Sequence, residues 1–267
     1  MIREPAVAGQ FYPGNGLELK ENLESLIIKG ARRAPALGIV SPHAGFMYSG
    51  SVAGEVFSKI ELTGTYIIIG PNHTGRGRPF SIMKDGSWAT PIGEVDIDKE
   101  LAADLLKRSR LLQSDATAHA FEHSIEVQLP FIQFFKGDFK FVPIILSNAN
   151  LATYREIGNN IADSIRESGK DILIIASSDM THYEEQKITM AKDQEAIKAI
   201  LELDEEKLLK KINEFDITMC GYAPVVVMLV AAKKLGAKKA ELVKYQTSGD
   251  ASGDFSAVVG YAGMIVS

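Results

Sequence analysis

Cysteine is almost absent from this chain. Cys220 is the only one in 267 residues, so no intrachain disulfide can form, no structural site of several thiolates can exist, and a bound metal has to be held by His, Asp or Glu. Positive charge is not in excess either. The 29 Lys and Arg against 34 Asp and Glu leave a net charge of -5, which gives no electrostatic reason to expect a nucleic-acid partner. The short basic clusters Arg76-Gly77-Arg78 and Lys233-Lys234 with Lys238-Lys239 lack interleaved aromatics and read as solvated surface. Long hydrophobic runs are missing as well: the longest covers 223–232 and is too short to span a bilayer. The first residues, Met1-Ile2-Arg3-Glu4-Pro5, carry no apolar core of signal-peptide length. A cytoplasmic protein with no membrane partner is expected.

What is present is the composition of an ordinary globular protein, 46% hydrophobic and 24% charged. No Pro/Ser-rich linker, repeat or low-complexity tract divides the chain, so one domain over residues 1–267 is expected. Apolar runs at 37–40, 66–69, 141–146, 172–176, 242–245 and 258–266 read as strands. Helical periodicity occupies 17–28, 52–60, 99–108, 125–135, 154–167, 190–201 and 225–235. Strands alternating with helices of this length predict an α/β fold with a central, mostly parallel sheet flanked by helices. Residues 81–95, with turns at Asp85-Gly86 and Pro91-Ile92-Gly93, predict a small antiparallel excursion.

The five histidines gather in or beside turn-like segments rather than on amphipathic stripes. His43 (Ser41-Pro42-His43-Ala44-Gly45), His73 (Gly70-Pro71-Asn72-His73) and His182 (Ser177-Ser178-Asp179-Met180-Thr181-His182) each follow an apolar run. Open α/β sheets collect function at the carboxyl ends of their strands, so the three are expected to converge in one pocket. His43 and His73 are candidate metal ligands, although each could also simply hydrogen-bond a loop carbonyl. Asp179, three residues before His182, either orients that ring as a base or caps a helix. His123 and Glu126, in Glu122-His123-Ser124-Ile125-Glu126, are pocket candidates or a salt bridge at a helix start. His119 reads as a loop histidine. The loop Thr247-Ser248-Gly249-Asp250-Ala251-Ser252-Gly253-Asp254 is a turn or the source of a carboxylate ligand. Cys220, ahead of an apolar helix, reads as a small buried side chain packed away from the strand-end loops.

Taken together, Pro5-Ala6-Val7-Ala8-Gly9-Gln10-Phe11-Tyr12-Pro13, Pro42-His43-Ala44-Gly45, Gly70-Pro71-Asn72-His73, Glu122-His123-Ser124-Ile125-Glu126, Ser177-Ser178-Asp179 with His182, Cys220-Gly221 and Val259-Gly260-Tyr261-Ala262 resemble the Memo family nearly end to end. The resemblance implies a fold like the catalytic subunit of class III extradiol dioxygenases, in which two histidines and a carboxylate hold non-haem Fe(II). It further implies His43 and His73 as the histidine ligands and His182 as the acid–base histidine. The third donor is left to the loop before the last strand, where Asp250 stands beside Ala251. The activity so implied is a metal-dependent oxidoreductase using Fe(II) or another divalent metal on a small molecule, with His182 and Asp179 catalytic. A binding module holding a peptide or phosphorylated ligand in the same pocket is the alternative. Metal-assisted hydrolysis is a third reading, and the resemblance also allows a radical S-adenosylmethionine protein as a pathway partner.

Overall fold

The computed structural model describes residues 1–267. In chain order, β1 (Ile2–Arg3) and α1 (Gly16–Leu26) precede the first crossover unit, formed by β2 (Gly38–Ser41), α2 (Phe46–Lys59) and β3 (Thr65–Pro71). The excursion is built by β4 (Phe80–Ile82), β5 (Ser87–Thr90) and β6 (Gly93–Ile97). It is followed by α3 (Lys99–Arg108), β7 (Gln113–Ser114), 3-10 turns at Thr117–His119 and Glu126–Gln128, and α4 (Leu129–Phe135). The second half runs through β8 (Lys140–Leu146), α5 (Leu151–Ser168), β9 (Ile172–Ser177), β10 (His182–Glu184), α6 (Gln186–Leu201) and α7 (Glu205–Glu214). It ends with α8 (Tyr222–Leu235), β11 (Ala240–Thr247), α9 (Gly249–Ser252) and β12 (Val258–Val266).

The sheet has the order β1-β5-β6-β8-β3-β9-β2-β12-β10, with β11 also on β12 and β4 also on β8. Its central strands β8, β3, β9 and β2 are parallel. That is why β3 and β9 are apolar along their length: helices cover both faces and leave no side for polar residues. The last strand runs the other way, β12 pairing antiparallel with β2, β10 and β11. A single cluster of 67 buried hydrophobic residues joins the elements, so no boundary divides the chain. The expected α/β architecture is therefore the one observed. No helix is long and apolar enough to cross a membrane.

Three local differences from the sequence expectation have physical causes. The helix expected at 52–60 begins at Phe46, because the Phe46 N–H is taken by Phe11 O at 2.7 Å and support for the helix start comes from a distant segment. The helix expected over 125–135 divides into a 3-10 turn and α4, with Pro130, which lacks an N–H, in the first turn of α4. The unanticipated α7 buries mainly Leu208 and Ile212, one turn apart in a Lys/Glu-rich stretch, and Asp204 caps it through the Lys207 N–H.

The N-terminal segment is tied down by one carboxylate. Glu126, fully buried, accepts from the Arg3 guanidinium, from Ala6 N at 2.7 Å, from Val7 N at 3.1 Å and from Tyr12 Oη at 2.6 Å. Arg3 also stacks over Trp88 and donates to the His119 and Glu122 carbonyls. Glu126 does not line the cleft described below; it is held away from it by four donors that would otherwise be unpaired in the interior. Glu126→Gln should therefore destabilise the protein by roughly 3–5 kcal/mol, the cost of leaving one partner of a buried ion pair uncompensated. Urea unfolding reads this as a lower midpoint with an unchanged slope.

Candidate metal centre

Strand order decides which loops meet. β9 lies between β3 and β2, so the segments leaving the carboxyl ends of these three strands bring His73, Asp179 with His182, and His43 to the same end of the sheet. The segment carrying Glu122 and His123 folds over the end of β3. It can do so because residue 70 is glycine: a Cβ there would collide with Ser124 Oγ. One nitrogen from each of His43, His73 and His123 then lies within 4.8 Å of the others. His73 and His123 stack with their planes 15° apart, and His43 meets both rings edge-on.

Hydrogen bonds set the tautomer of two of these rings. Ser177 Oγ donates to Ser124 O at 2.6 Å and accepts from Gln128 Nε2 at 2.8 Å. The amide nitrogen of Gln128 is fixed by its contact with Pro42 O at 3.0 Å, since a carbonyl can only accept. With its one proton engaged, Ser177 Oγ can only accept at 2.9 Å from His43 Nδ1–H, which leaves His43 Nε2 with a free lone pair. Burial, together with the neighbouring imidazoles, pushes the His43 pKa far down and keeps the ring neutral. His73 Nδ1 lies 2.9 Å from Glu122 Oε1, and its backbone N–H donates to Oε2 at 2.8 Å. Glu122 also takes the Ser124 N–H. Although burial opposes ionisation, the bonds and charges of His73 and His123 hold the Glu122 pKa at about 2. Burial works against a charged His73, but the Glu122 carboxylate outweighs it and raises that ring's pKa. The His123 ring makes no hydrogen bond; it is held by the stack on His73 and by the edge of Phe11, and burial lowers its pKa.

The cleft above the cluster measures about 700 Å³ and is lined by His43, His73, His123, Asp179 and His182, among others. His182 donates from Nδ1 to Thr218 O at 2.9 Å, leaving Nε2 bare. Asp179 therefore does not orient His182, as its spacing suggested. Its Oδ1 instead accepts the His43 N–H at 2.7 Å, so it serves the loop ahead of α2, and burial raises its pKa to about 6. Asp250 does not join the imidazoles. Its Oδ2 turns back to Thr247 N at 2.7 Å and Thr247 Oγ1 at 3.3 Å, closing the loop, and His123 stands in the place foreseen for it. His119 is fully buried against Trp88, outside the cleft, with burial and Arg3 lowering its pKa to about 3.

Cys220 is not packed away. Its Sγ lies 3.1 Å from His43 Nε2 and accepts the Asp179 N–H at 3.3 Å. Gly221 permits this approach, since a Cβ there would strike Ser177 O and Ser178. Burial, reinforced by the Asp179 charge, pushes the thiol pKa up, so Cys220 is a neutral S–H donor to His43 Nε2. Sequence reasoning also passed over Glu122 as a site residue. Its signal was there, as a carboxylate directly preceding a histidine in a turn.

The description of Memo-like proteins fits residues 3–265 of the sequence. The chain belongs to the Memo family. A MEMO1 family protein of Methanosarcina mazei is 47% identical over 270 residues, with 99% of both chains covered. MEMO1 family protein MK0963 of Methanopyrus kandleri is 42% identical over 279 residues, again with 99% of each covered. Among solved structures, the uncharacterized protein JW3007 from Escherichia coli K12 has a TM-score of 0.56 at 14% identity, covering 85% of this chain and 98% of that one. That likeness concerns the fold alone.

In this Memo-family chain, the lowered pKa of Glu122 means that its ionised form stabilises the fold above the ordinary carboxyl pKa of 4.5, and that this contribution fades as pH falls through about 2. Glu122→Gln should therefore be less stable than wild type by a nearly constant amount between pH 4.5 and 6.5, with the two converging as pH falls toward 2 and the gap narrowing above 6.5 as His73 loses its proton. Urea midpoints measured across that range check it; a gap that persists at low pH would sink the assignment.

Proposed function

We propose that this protein is a metal-dependent enzyme of the oxidoreductase class, holding Fe(II) or a similar divalent ion on His43, His73 and His123 and acting on a small molecule in the cleft. The observation that carries the reading is the three-imidazole group, with donor atoms within 4.8 Å of one another. The donor set fits such an ion. Two of the rings engage Nδ1–H with Ser177 and Glu122 and so present Nε2 lone pairs, the arrangement that outer partners impose on metal-binding histidines. Imidazole suits iron, zinc, copper and nickel.

A divalent ion at this position supplies a Lewis acid and, where redox-active, an electron donor or acceptor. The remaining chemistry belongs to side chains. His182, with Nδ1–H fixed on Thr218 O, offers Nε2 to take a proton from a ligand hydroxyl or water in the cleft. Asp179 holds the His43 backbone, so it supports the ligand ring and is not the partner of the base. Cys220 lies against His43 Nε2 but outside the three-imidazole group, and its thiol proton must leave that nitrogen before the nitrogen can serve as a donor.

Anaerobic equilibrium titration with Fe(II) tests the assignment. His123→Ala should weaken binding by more than about 100-fold, the upper end of the range for outer partners, whereas Asp250→Ala should stay within about twofold of wild type. Equal affinity of wild type and His123→Ala would overturn the triad, and a large loss in Asp250→Ala would restore the carboxylate. No Fe(II), Zn(II) or Mn(II) binding by wild type would leave the peptide-holding pocket as the better reading.

A further inference from the structure

The cleft described above is defined as much by its charge as by its histidines. No Lys or Arg lines it, while Asp179 and Asp254 both do. Recognition of a phosphate or carboxylate away from a metal normally uses Arg, Lys or a free helix N-terminus. The one long helix that starts at the cleft, α2, is largely engaged there: the His43 N–H goes to Asp179, the Phe46 N–H to Phe11 O, and the Tyr48 and Ser49 N–H groups to Gly45 O. Asp254 makes no salt bridge; its Oδ1 takes Ser256 N and Oγ, which lowers its pKa and keeps a net negative charge at the lip.

The second observation is Tyr183. It lies between His182 and Glu184, where the pairing of β10 with β12 is interrupted, and it takes φ 60°, a left-handed conformation rare for a bulky residue. The residue is 77% exposed and lines the cleft, and its ring lies 5.7 Å from the His182 ring. Strain of this kind persists where the surrounding structure over-determines it, and here the neighbours on either side are fixed. His182 N donates to Thr218 Oγ1 at 2.7 Å, and Glu184 pairs with Lys192 at 2.7 Å. A strained, solvent-facing tyrosine beside the base contributes little to packing. Phe11, Tyr48 and Tyr261 add further rings to the same cleft.

We propose that the cleft selects an aromatic ligand whose body is uncharged or cationic and rejects phosphorylated ones, with Tyr183 as the specificity-determining platform and Asp254 as the counter-charge for an amine. This rests on the cleft being the functional site proposed above, but it does not require the metal. An ammonium group gains from both the carboxylate and the aromatic face, whereas a phosphate monoester meets two carboxylates and neither Lys nor Arg.

Binding of phenethylamine, 2-phenylethanol and phenyl phosphate to the metal-free full-length protein, followed by ligand-observed NMR with dissociation constants from titration, tests the proposal. The expected order of affinity is phenethylamine, then 2-phenylethanol, with phenyl phosphate weakest. Asp254→Asn should weaken phenethylamine by about threefold or more, the size of an exposed cation contact, and leave 2-phenylethanol unchanged. Tyr183→Gly should weaken both while its thermal midpoint holds or rises, because glycine adopts φ 60° without strain. A structural role for the ring would instead lower the midpoint. Phenyl phosphate binding as tightly as phenethylamine, or Tyr183→Gly binding both ligands like wild type, overturns the proposal. If the order holds and no metal binds in the separate titration, the metal reading fails and this one stands.

Discussion

The Glu122 carboxylate is the contact on which the site depends, because it closes a gap between segments 49 residues apart. One oxygen takes the backbone N–H of His73 and the other takes its ring N–H, so a single group fixes both where residue 73 lies and how its imidazole is turned. The same carboxylate receives the Ser124 N–H, which bends its own segment so that His123 stacks on His73. Without it, the His73 and Ser124 N–H groups would lose their acceptor and two imidazoles would lose their common frame. The residue does in this fold what outer carboxylates do for metal-binding histidines: it sets the tautomer and restrains the ring.

The second anchor, Ser177, works by hydrogen-bond arithmetic and not by charge. A hydroxyl has one proton; Ser124 O takes it, Gln128 fills one lone pair, and His43 Nδ1–H fills the other. Ser177 ends β9 and pairs with Ser41 at the end of β2, so the register of two parallel strands places the anchor beneath His43. Beneath this layer, Glu126 pins the N-terminal segment that carries Phe11 to the edge of His123. Sheet register, buried polar bonds and imidazole placement thus form one continuous set of contacts from the core to the cleft.

Much of the fold was legible because burial leaves a one-dimensional trace. Strands covered on both faces must be apolar throughout, and the runs at 66–69 and 172–176 became β3 and β9 with only their ends extended. Helix starts were less legible where the support comes from elsewhere in the chain: the start of α2 owes its bonds to Phe11 and Asp179, neither of them local. Convergence of His43, His73 and His182 was readable from their positions after strands.

Partnership was not readable, and the reason is physical. Spacing states which residues are neighbours along the chain, but a buried polar group takes whichever donor the packed interior brings to it. Asp179 faces His43 across two parallel strands and not His182 three residues away. Glu126 belongs to Arg3, while His123 belongs to His73. Asp250 satisfies its own loop. Cys220, ahead of an apolar helix, reaches His43 only because Gly221 lets the chain lie against the end of β9. The sequence by itself determined the strands, the helices and the end of the sheet at which chemistry collects. Only the tertiary structure decided which side chains meet there, because desolvated hydrogen-bonding groups have to be satisfied in three dimensions.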